Sequence, residues 1–311
     1  MRYTLRQLEY FIAAGECGSI TVASERIAIS QPSISTAISH LEKELGVQLF
    51  VRQHAHGLSL TPAGRKLVVA AKRVIKEAEN LYDAASEATD QVRGQLCVGS
   101  MVTLAPMIMP ELAHNFMSIY PMVQIRQFEA NQEWLLDSLR RVEIDIAIAY
   151  DLQIPEGIEF SPLASLPPYV LVSANHPFAQ ETEVSLQDLV DEPMVLLDLP
   201  FSREYFFSLF FKEALQPKIY SSSAHLEVVR TMVANGYGYT LANVRPRSDM
   251  ALDGRKLVHI PLAGSHRPMI VGTATLANLN KSRLLQAFEQ HCKTSISDSH
   301  IPGMLASILG H

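Results

Sequence analysis

Apolar residues in the first ninety positions recur at helical spacing, in three short runs and one long one. Leu5, Leu8, Phe11 and Ile12 share one helical face, and Ile20, Ala23 and Ile27 share another. Ile34, Ala37, Ile38, Leu41 and Leu45 repeat the spacing in a third segment. Ser19 and Ser30 stand where the second and third helices need N-caps, and Pro32 falls in a first turn, where its missing N–H costs nothing. Only Ala28, Ile29 and Ser30 separate these two helices, which therefore cross steeply as a helix-turn-helix. The third helix turns Gln31, Ser33, Ser35, Thr36, Ser39 and His40 outward. A solvated face would carry Lys and Glu; short hydroxyls, an amide and an imidazole suit base edges and phosphates in a major groove. Ser19 and Thr21, at the start of the second helix, join this set of candidate DNA contacts.

After Gly46 the segment "VQLFVRQHAHGLSLTPAG" reads as two short strands around a turn at His56-Gly57, completing a winged helix-turn-helix. Arg52, His54, His56 and Arg65 would lie near the backbone of DNA held by the third helix. The histidine pair has no carboxylate or thiol beside it and is not read as a metal site. Thr61-Pro62 opens a long helix as N-cap and first-turn proline. Leu67, Ala71, Val74, Ala78, Leu81, Ala85, Ala88 and Val92 follow at alternating spacings of four and three. That heptad stripe predicts pairing with a second copy, which would set two recognition helices on two half-sites.

From Gln95 the pattern changes to short apolar strands alternating with helices. "QLCVGS", "VQIRQF", "DIAIAY", "YVLVSA", "MVLLD" and "MIVGTAT" read as buried parallel strands, with helices near 104–119, 132–142, 203–215, 225–235 and 281–293. Net charge modifies this picture slightly. It is −6 overall, yet residues 1–94 carry 11 Lys/Arg against 10 Asp/Glu while the remainder carries 15 against 22, a sign that fits an N-terminal module near phosphates. The three cysteines, Cys17, Cys97 and Cys292, are too few and too scattered for a disulfide framework. With no signal-peptide pattern and no membrane-length apolar run, a cytoplasmic protein is expected. No G-x-S-x-G elbow, P-loop, G-x-G-x-x-G or paired metal-ligand spacing points to an enzyme, and no metal or cofactor is expected.

The stretch "LRQLEYFIAAGECGSITVASERIAISQPSISTAISHLEKELGVQLFVR...LSLTPAG" resembles the DNA-binding domain of LysR-type transcriptional regulators along its whole length. "SQPSIS", "LEKELGVQLF" and "LTPAG" match most closely. The resemblance implies a homodimer or homotetramer on double-stranded promoter DNA, with RNA polymerase as a further partner. It places Gln31, Pro32, Ser35 and Thr36 against bases and Arg52, Thr61 and Arg65 nearer phosphates. Many family members carry Arg or Lys where this chain has Thr36, so its recognition helix is poorer in cations. The implied fold is α/β overall: a winged helix-turn-helix over 1–61, a dimerisation helix over 62–94, and a two-lobed α/β effector domain over 95–300, like periplasmic solute-binding proteins. Lobe one would hold about 95–165 and 267–300, and lobe two about 166–266.

Ligands of open α/β sheets bind beyond the carboxyl ends of strands, near helix N-termini. Four junctions meet this condition. "GSMVTL" presents Ser100, Met101 and Thr103; "FEANQEW" presents Asn131 and Gln132; "AYD" presents Tyr150 and Asp151; "DLPFSREYF" presents Phe201, Ser202 and Arg203. Arg203 would give a carboxylate both a guanidinium and a helix dipole, so a small polar or acidic metabolite is the expected effector. A regulator sensing redox state through a cysteine is the alternative.

Overall fold

The computed structural model describes residues 2–53, 57–86, 91–277 and 280–305, without the side chains of 52, 53, 80 and 82–86. The chain divides after Gln91 into two compact units.

The first unit opens with α1 (Leu5–Cys17), α2 (Ile20–Ile27) and α3 (Gln31–Leu45). Each begins on a side-chain cap. Thr4 and Gln7 form a reciprocal capping box, Ser19 accepts the Val22 N–H and Ser30 accepts the Ser33 N–H. The buried faces meet in one core that includes Leu8, Phe11, Ala23, Ile34, Ile38 and Leu41, closed by Phe50 edge-on to Phe11 at 5.6 Å. Glu42 accepts the Leu49 N–H at 2.8 Å and the Phe50 N–H at 3.3 Å, which fixes the path from α3 into β1 (Phe50–Gln53). β1 pairs antiparallel with β2 (Gly57–Leu60); the expected turn at His56 lies outside the described residues. Thr61 accepts the Gly64 N–H at 2.8 Å and donates to the Gln48 carbonyl at 2.7 Å, starting α4 (Pro62–Ser86).

The heptad stripe of α4 is not uniform. Ala71 is buried in the unit's own core and Leu67 packs against it, because α4 lies along α1 there. Lys72 and Arg26 reach the Glu16 carboxylate at 2.7 and 2.8 Å and reinforce that contact. Further along, Val74 is 41% and Leu81 72% exposed. Ala88 and the side chain of Ala85 lie outside the described residues. The expectation of a helix reaching residue 94 does not hold, because residues 91–93 are not helical and Val92 packs on the second unit's core.

The second unit runs through β3 (Gly94–Met101), α5 (Ala105–Ile119), β4 (Val123–Ala130), α6 (Gln132–Arg140), β5 (Ile146–Tyr150), β6 (Ile158–Leu166) and β7 (Tyr169–Ser173). It continues with α7 (Leu186–Leu189), β8 (Pro193–Leu197), α8 (Ser202–Lys212), β9 (Lys218–Ser223), α9 (Leu226–Ala234), β10 (Thr240–Ala242), β11 (Leu257–Pro261), β12 (Met269–Leu276) and α10 (Arg283–Ser295). One sheet has the order β4-β3-β5-β12-β6 and another β10-β7-β11; β8 and β9 pair with each other. Tyr239 exchanges hydrogen bonds with Pro193 (3.0 Å) and Val195 (2.8 Å), joining β8 to the chain entering β10.

The expectation of parallel strands holds only for β4-β3-β5 and β8-β9. β12 runs antiparallel to both β5 and β6, and β7 antiparallel to β10 and β11. A strand buried on both faces reads as the same apolar run in either direction, so "MIVGTAT" could not reveal its sense. The apolar pattern does not reveal β6, β9, β10 and β11: β6 contains Pro162, and β9, "KIYSSS", is a polar strand.

After α10 the chain crosses to residues 245–247. The Leu305 N–H donates to the Arg245 carbonyl at 3.0 Å, the Arg247 N–H to the Gly303 carbonyl at 3.4 Å, and Ile301 and Met304 are buried. Gly238 has the more demanding backbone. Its φ is +129°, and a Cβ there would sit 1.9 Å from the Pro193 carbonyl oxygen, on the junction that joins β8 to β10. Gly238→Ala is therefore expected to cost about 2 kcal/mol or more in equilibrium denaturation. An unchanged denaturation midpoint would show that this junction is not tight.

Candidate functional site

The outward face of α3 is built as its sequence suggests. Gln31, Pro32, Ser33, Thr36 and Ser39 are solvent-accessible and Ser35 is half-buried, while Ile34, Ala37, Ile38 and Leu41 hold the helix to the core. His40 is less free, since its Nδ1 lies 3.3 Å from the Gln7 amide nitrogen of α1. Ser33 is 2.8 Å from the cap hydroxyl of Ser30. Ser19 and Thr61 are spent on capping, so their hydroxyls hold helices in place. Thr21 is exposed at the start of α2. Arg65 is exposed, with Nη1 donating to the Leu60 carbonyl at 2.9 Å, which ties it to the wing. His54 and His56 lie outside the described residues, as does the side chain of Arg52.

In the second unit the chain passes between the two sheets twice. Leu166 to Tyr169 crosses through Pro167 and Pro168, and Pro261 to Met269 returns. Beside these crossings a narrow cleft, partly open to solvent, is lined from one side by Thr103, Tyr150 and Met269. From the other side come Leu197, Ser202, Phe206, Leu226, Ala242, Asn243 and Val244. The Thr103 hydroxyl and the Tyr150 phenol are 2.9 Å apart. Burial raises the Tyr150 pKa well above the ordinary tyrosine value, so the phenol stays protonated. Asn243 donates through Nδ2 to the Leu166 carbonyl at 2.7 Å and to the Tyr205 hydroxyl at 3.3 Å. Its Oδ1 is buried with no partner among the described residues.

Thr103, Tyr150 and Ser202 thus line the cleft as expected, but the other candidates do not. Ser100 is buried at the end of β3, its hydroxyl without a described partner, and Met101 is fully buried core. Asn131 caps α6 by accepting the Trp134 N–H at 2.9 Å. Gln132 is fully buried and committed: Nε2 donates to the Tyr150 and Leu152 carbonyls at 2.6 and 3.0 Å, and Oε1 accepts the Tyr150 N–H at 3.0 Å. Asp151 accepts the Ile270 N–H at 2.9 Å and pairs with Arg267 at 2.5 Å, clamping β5 to β12. Phe201 takes φ 66° at the start of α8 and packs against the core. Arg203 pairs with Asp198 at 2.9 Å and Glu204 at 3.1 Å, exposed and outside the cleft lining. Sequence reasoning misses Asn243, Phe206 and the apolar lining. Apart from the aromatic cluster around Phe206, the sequence carries no local signal for them, because the crossings bring them together from far apart.

The three cysteines are dispersed. Cys97 is half-buried in β3, Cys17 is half-buried beside Arg26, and Cys292 is buried in α10, where burial pushes its thiol pKa far up.

The two units match two family models in chain order. Residues 5–65 match the bacterial regulatory helix-turn-helix protein of the lysR family, and residues 89–297 the LysR substrate binding domain. Among solved structures, HinK, a LysR family transcriptional regulator from Pseudomonas aeruginosa, is 38% identical over 95% of this chain and 99% of its own, with a TM-score of 0.65. A full-length OxyR variant from the same organism is 26% identical over 94% of this chain and 95% of its own, with a TM-score of 0.78. The hydrogen peroxide-inducible genes activator of Pectobacterium carotovorum is 30% identical over 238 residues, 76% of this chain and 78% of that protein. The chain belongs to the LysR family of transcriptional regulators, oligomeric DNA-binding proteins with an effector-binding domain.

Proposed function

We propose that this regulator binds a partly palindromic promoter site as a dimer, and that a compact, largely apolar, uncharged molecule in the cleft controls its output to RNA polymerase. The observation that carries the effector class is the lining itself. Six of its ten residues are apolar, four are neutral polar, and none is charged. The acidic metabolite expected from sequence rested on Arg203, whose guanidinium is engaged on the surface by Asp198 and Glu204. A carboxylate in the cleft would lose its hydration without gaining a cation, at a cost of several kcal/mol. A neutral ligand with one N–H or O–H donor would meet the unpartnered Asn243 Oδ1 and bury its apolar body against Phe206, Leu226 and Met269.

Redox sensing is the second reading, favoured by the names of the peroxide-responsive relatives. Against it, none of the cleft-lining residues is a cysteine, and the buried Cys292 is held protonated. Replacing Cys17 and Cys97 together by Ser should leave the promoter response intact; loss of a peroxide response would favour redox sensing.

Three outcomes test the main reading. Calorimetry with pairs of neutral and carboxylate isosteres should give at least tenfold tighter binding of the neutral member, and tighter acids would overturn the effector class. Gln31→Ala should cost about 1–3 kcal/mol at the specific site and relax base preference there, while Arg52→Ala should weaken all sequences alike and flatten the salt dependence. Identical effects of the two changes would refute the assigned contacts. Leu81→Glu sets a charge on the exposed part of the α4 stripe and should yield monomers that lose palindrome binding, so an unchanged mass by light scattering would count against helix pairing.

A further inference from the structure

The second sheet holds a cluster of ionisable side chains that the effector reading does not use. Arg230, on α9, is only 2% exposed. Its Nη2 donates to the Ser248 and Met250 carbonyls at 3.0 and 3.1 Å, and its Nε lies 3.3 Å from a Glu227 carboxylate oxygen. Its Nη1 is buried with no partner among the described residues, as is the Nε of Arg245, the residue after Val244 of the cleft. His259, on β11, has a side chain 4% exposed, with Nδ1 3.2 Å from Asp249 Oδ1 and Nε2 unpartnered. Its ring lies 5.1 Å from that of Tyr169, whose hydroxyl donates to the Val244 carbonyl at 2.7 Å. These groups share one environment, since Arg230 and Arg245 both act electrostatically on Tyr169 and on His259. Burial and the nearby Arg245 hold the imidazole near a pKa of about 4, with Asp249 opposing and Arg230 adding to the effect.

We propose that Arg230 and Arg245 form a binding site for a small oxyanion (sulfate, phosphate or carboxylate), distinct from the effector cleft. Buried guanidinium N–H groups without acceptors are costly, and the buried Arg230 together with the half-buried Arg245, whose Nε is buried, matches the spread oxygens of an oxyanion. Two carboxylates face the cluster, Glu227 toward Arg230 and Asp249 toward His259; both side chains are partly exposed, although the Asp249 Oδ1 that faces the imidazole is buried. They offset the charge but leave Arg230 Nη1 and Arg245 Nε unpaired. Because Tyr169 holds the Val244 carbonyl and Arg245 follows it, an anion here would brace one wall of the cleft. The site does not depend on which effector the cleft takes.

Thermal denaturation of the full chain at constant ionic strength, with chloride replaced by sulfate, inorganic phosphate or succinate, tests this directly. At least one of the three should raise the melting temperature saturably at millimolar concentration; the sulfate and phosphate arms against succinate separate an inorganic ion from an organic carboxylate. Arg245→Gln should weaken the apparent affinity at least tenfold. Asp249→Asn removes a repelling carboxylate from a partly exposed position and should strengthen it at least threefold, an effect with the opposite sign that does not rely on the Arg245 variant folding. Thr103→Val, in the cleft, should change neither. Anion binding to the DNA-contacting face is common to all variants and cancels between them. A linear rise equal in wild type and variants is a general salt effect and overturns the proposal, as does the absence of any rise.

Discussion

The second unit depends on one hydrogen-bonded chain laid across its two crossings. Asn243 donates to the Leu166 carbonyl on the outgoing strand and to the Tyr205 hydroxyl, which donates to the Arg267 carbonyl on the returning one. Arg267 then pairs with Asp151, whose other oxygen accepts the Ile270 N–H at the start of β12. Burial pushes the Tyr205 phenol up to about 12, so it keeps its proton and the chain stays intact at neutral pH. With these links made, β12 is held between β5 and β6, antiparallel to both, and each sheet is completed by chain that left it and came back. The cleft lies where the two crossings run together. The same Asn243 that closes the crossing also lines the cleft, and its Oδ1 has no partner among the described residues.

This arrangement explains which parts of the molecule were legible in sequence. Local physics fixes the caps: Ser19, Ser30 and Thr61 each sit three residues before the N–H they accept, and all three could be read from short windows. The face of α3 was equally legible, because a helix with four apolar positions inward leaves little choice about what points outward. The cleft was not. Thr103 and Ser202 were found because they follow strand ends, but Gln132 and Asp151 satisfy the same rule and serve only to hold neighbouring strands. A strand-end position offers a polar group a place near the ligand; whether backbone atoms or a ligand use it is decided by strands distant in sequence. Arg203 shows the same limit for charge. Its two carboxylate partners, Asp198 and Glu204, stand five and one residues away, and their proximity outweighed the helix-terminus argument.

The heptad stripe of α4 was ambiguous for a different reason. Packing against α1 and pairing with another helix both require apolar residues at spacings of three and four, so Leu67 and Ala71 could not be told apart from Val74 and Leu81 by period. What separates them is the ion cluster of Glu16, Arg26 and Lys72. Burial opposes the charge on Glu16, yet the hydrogen bonds from Lys72 and Arg26 outweigh it and hold the carboxyl below its usual range. That network fastens the first half of α4 to α1 and leaves the exposed apolar residues to the second half.

Charge is distributed in the opposite way to what each surface handles. The outward face of α3 from Gln31 to Ser39 carries no lysine or arginine, and His40 is engaged by Gln7; on the proposed DNA contacts, Arg65 and Arg52 would supply the phosphate attraction. Affinity gained that way would be insensitive to sequence, whereas the hydroxyls and amide of α3, set against base edges, would discriminate between bases without adding much attraction. A single module built like this discriminates better than it holds, and two modules on one site recover the affinity by addition. In the effector-binding domain Arg230 of α9 is buried and Arg245 half-buried, and neither lines the cleft, whose lining is neutral. On the proposed effector reading, a lining without cations would leave selectivity to shape and to neutral polar groups, whereas an arginine there would favour charged metabolites.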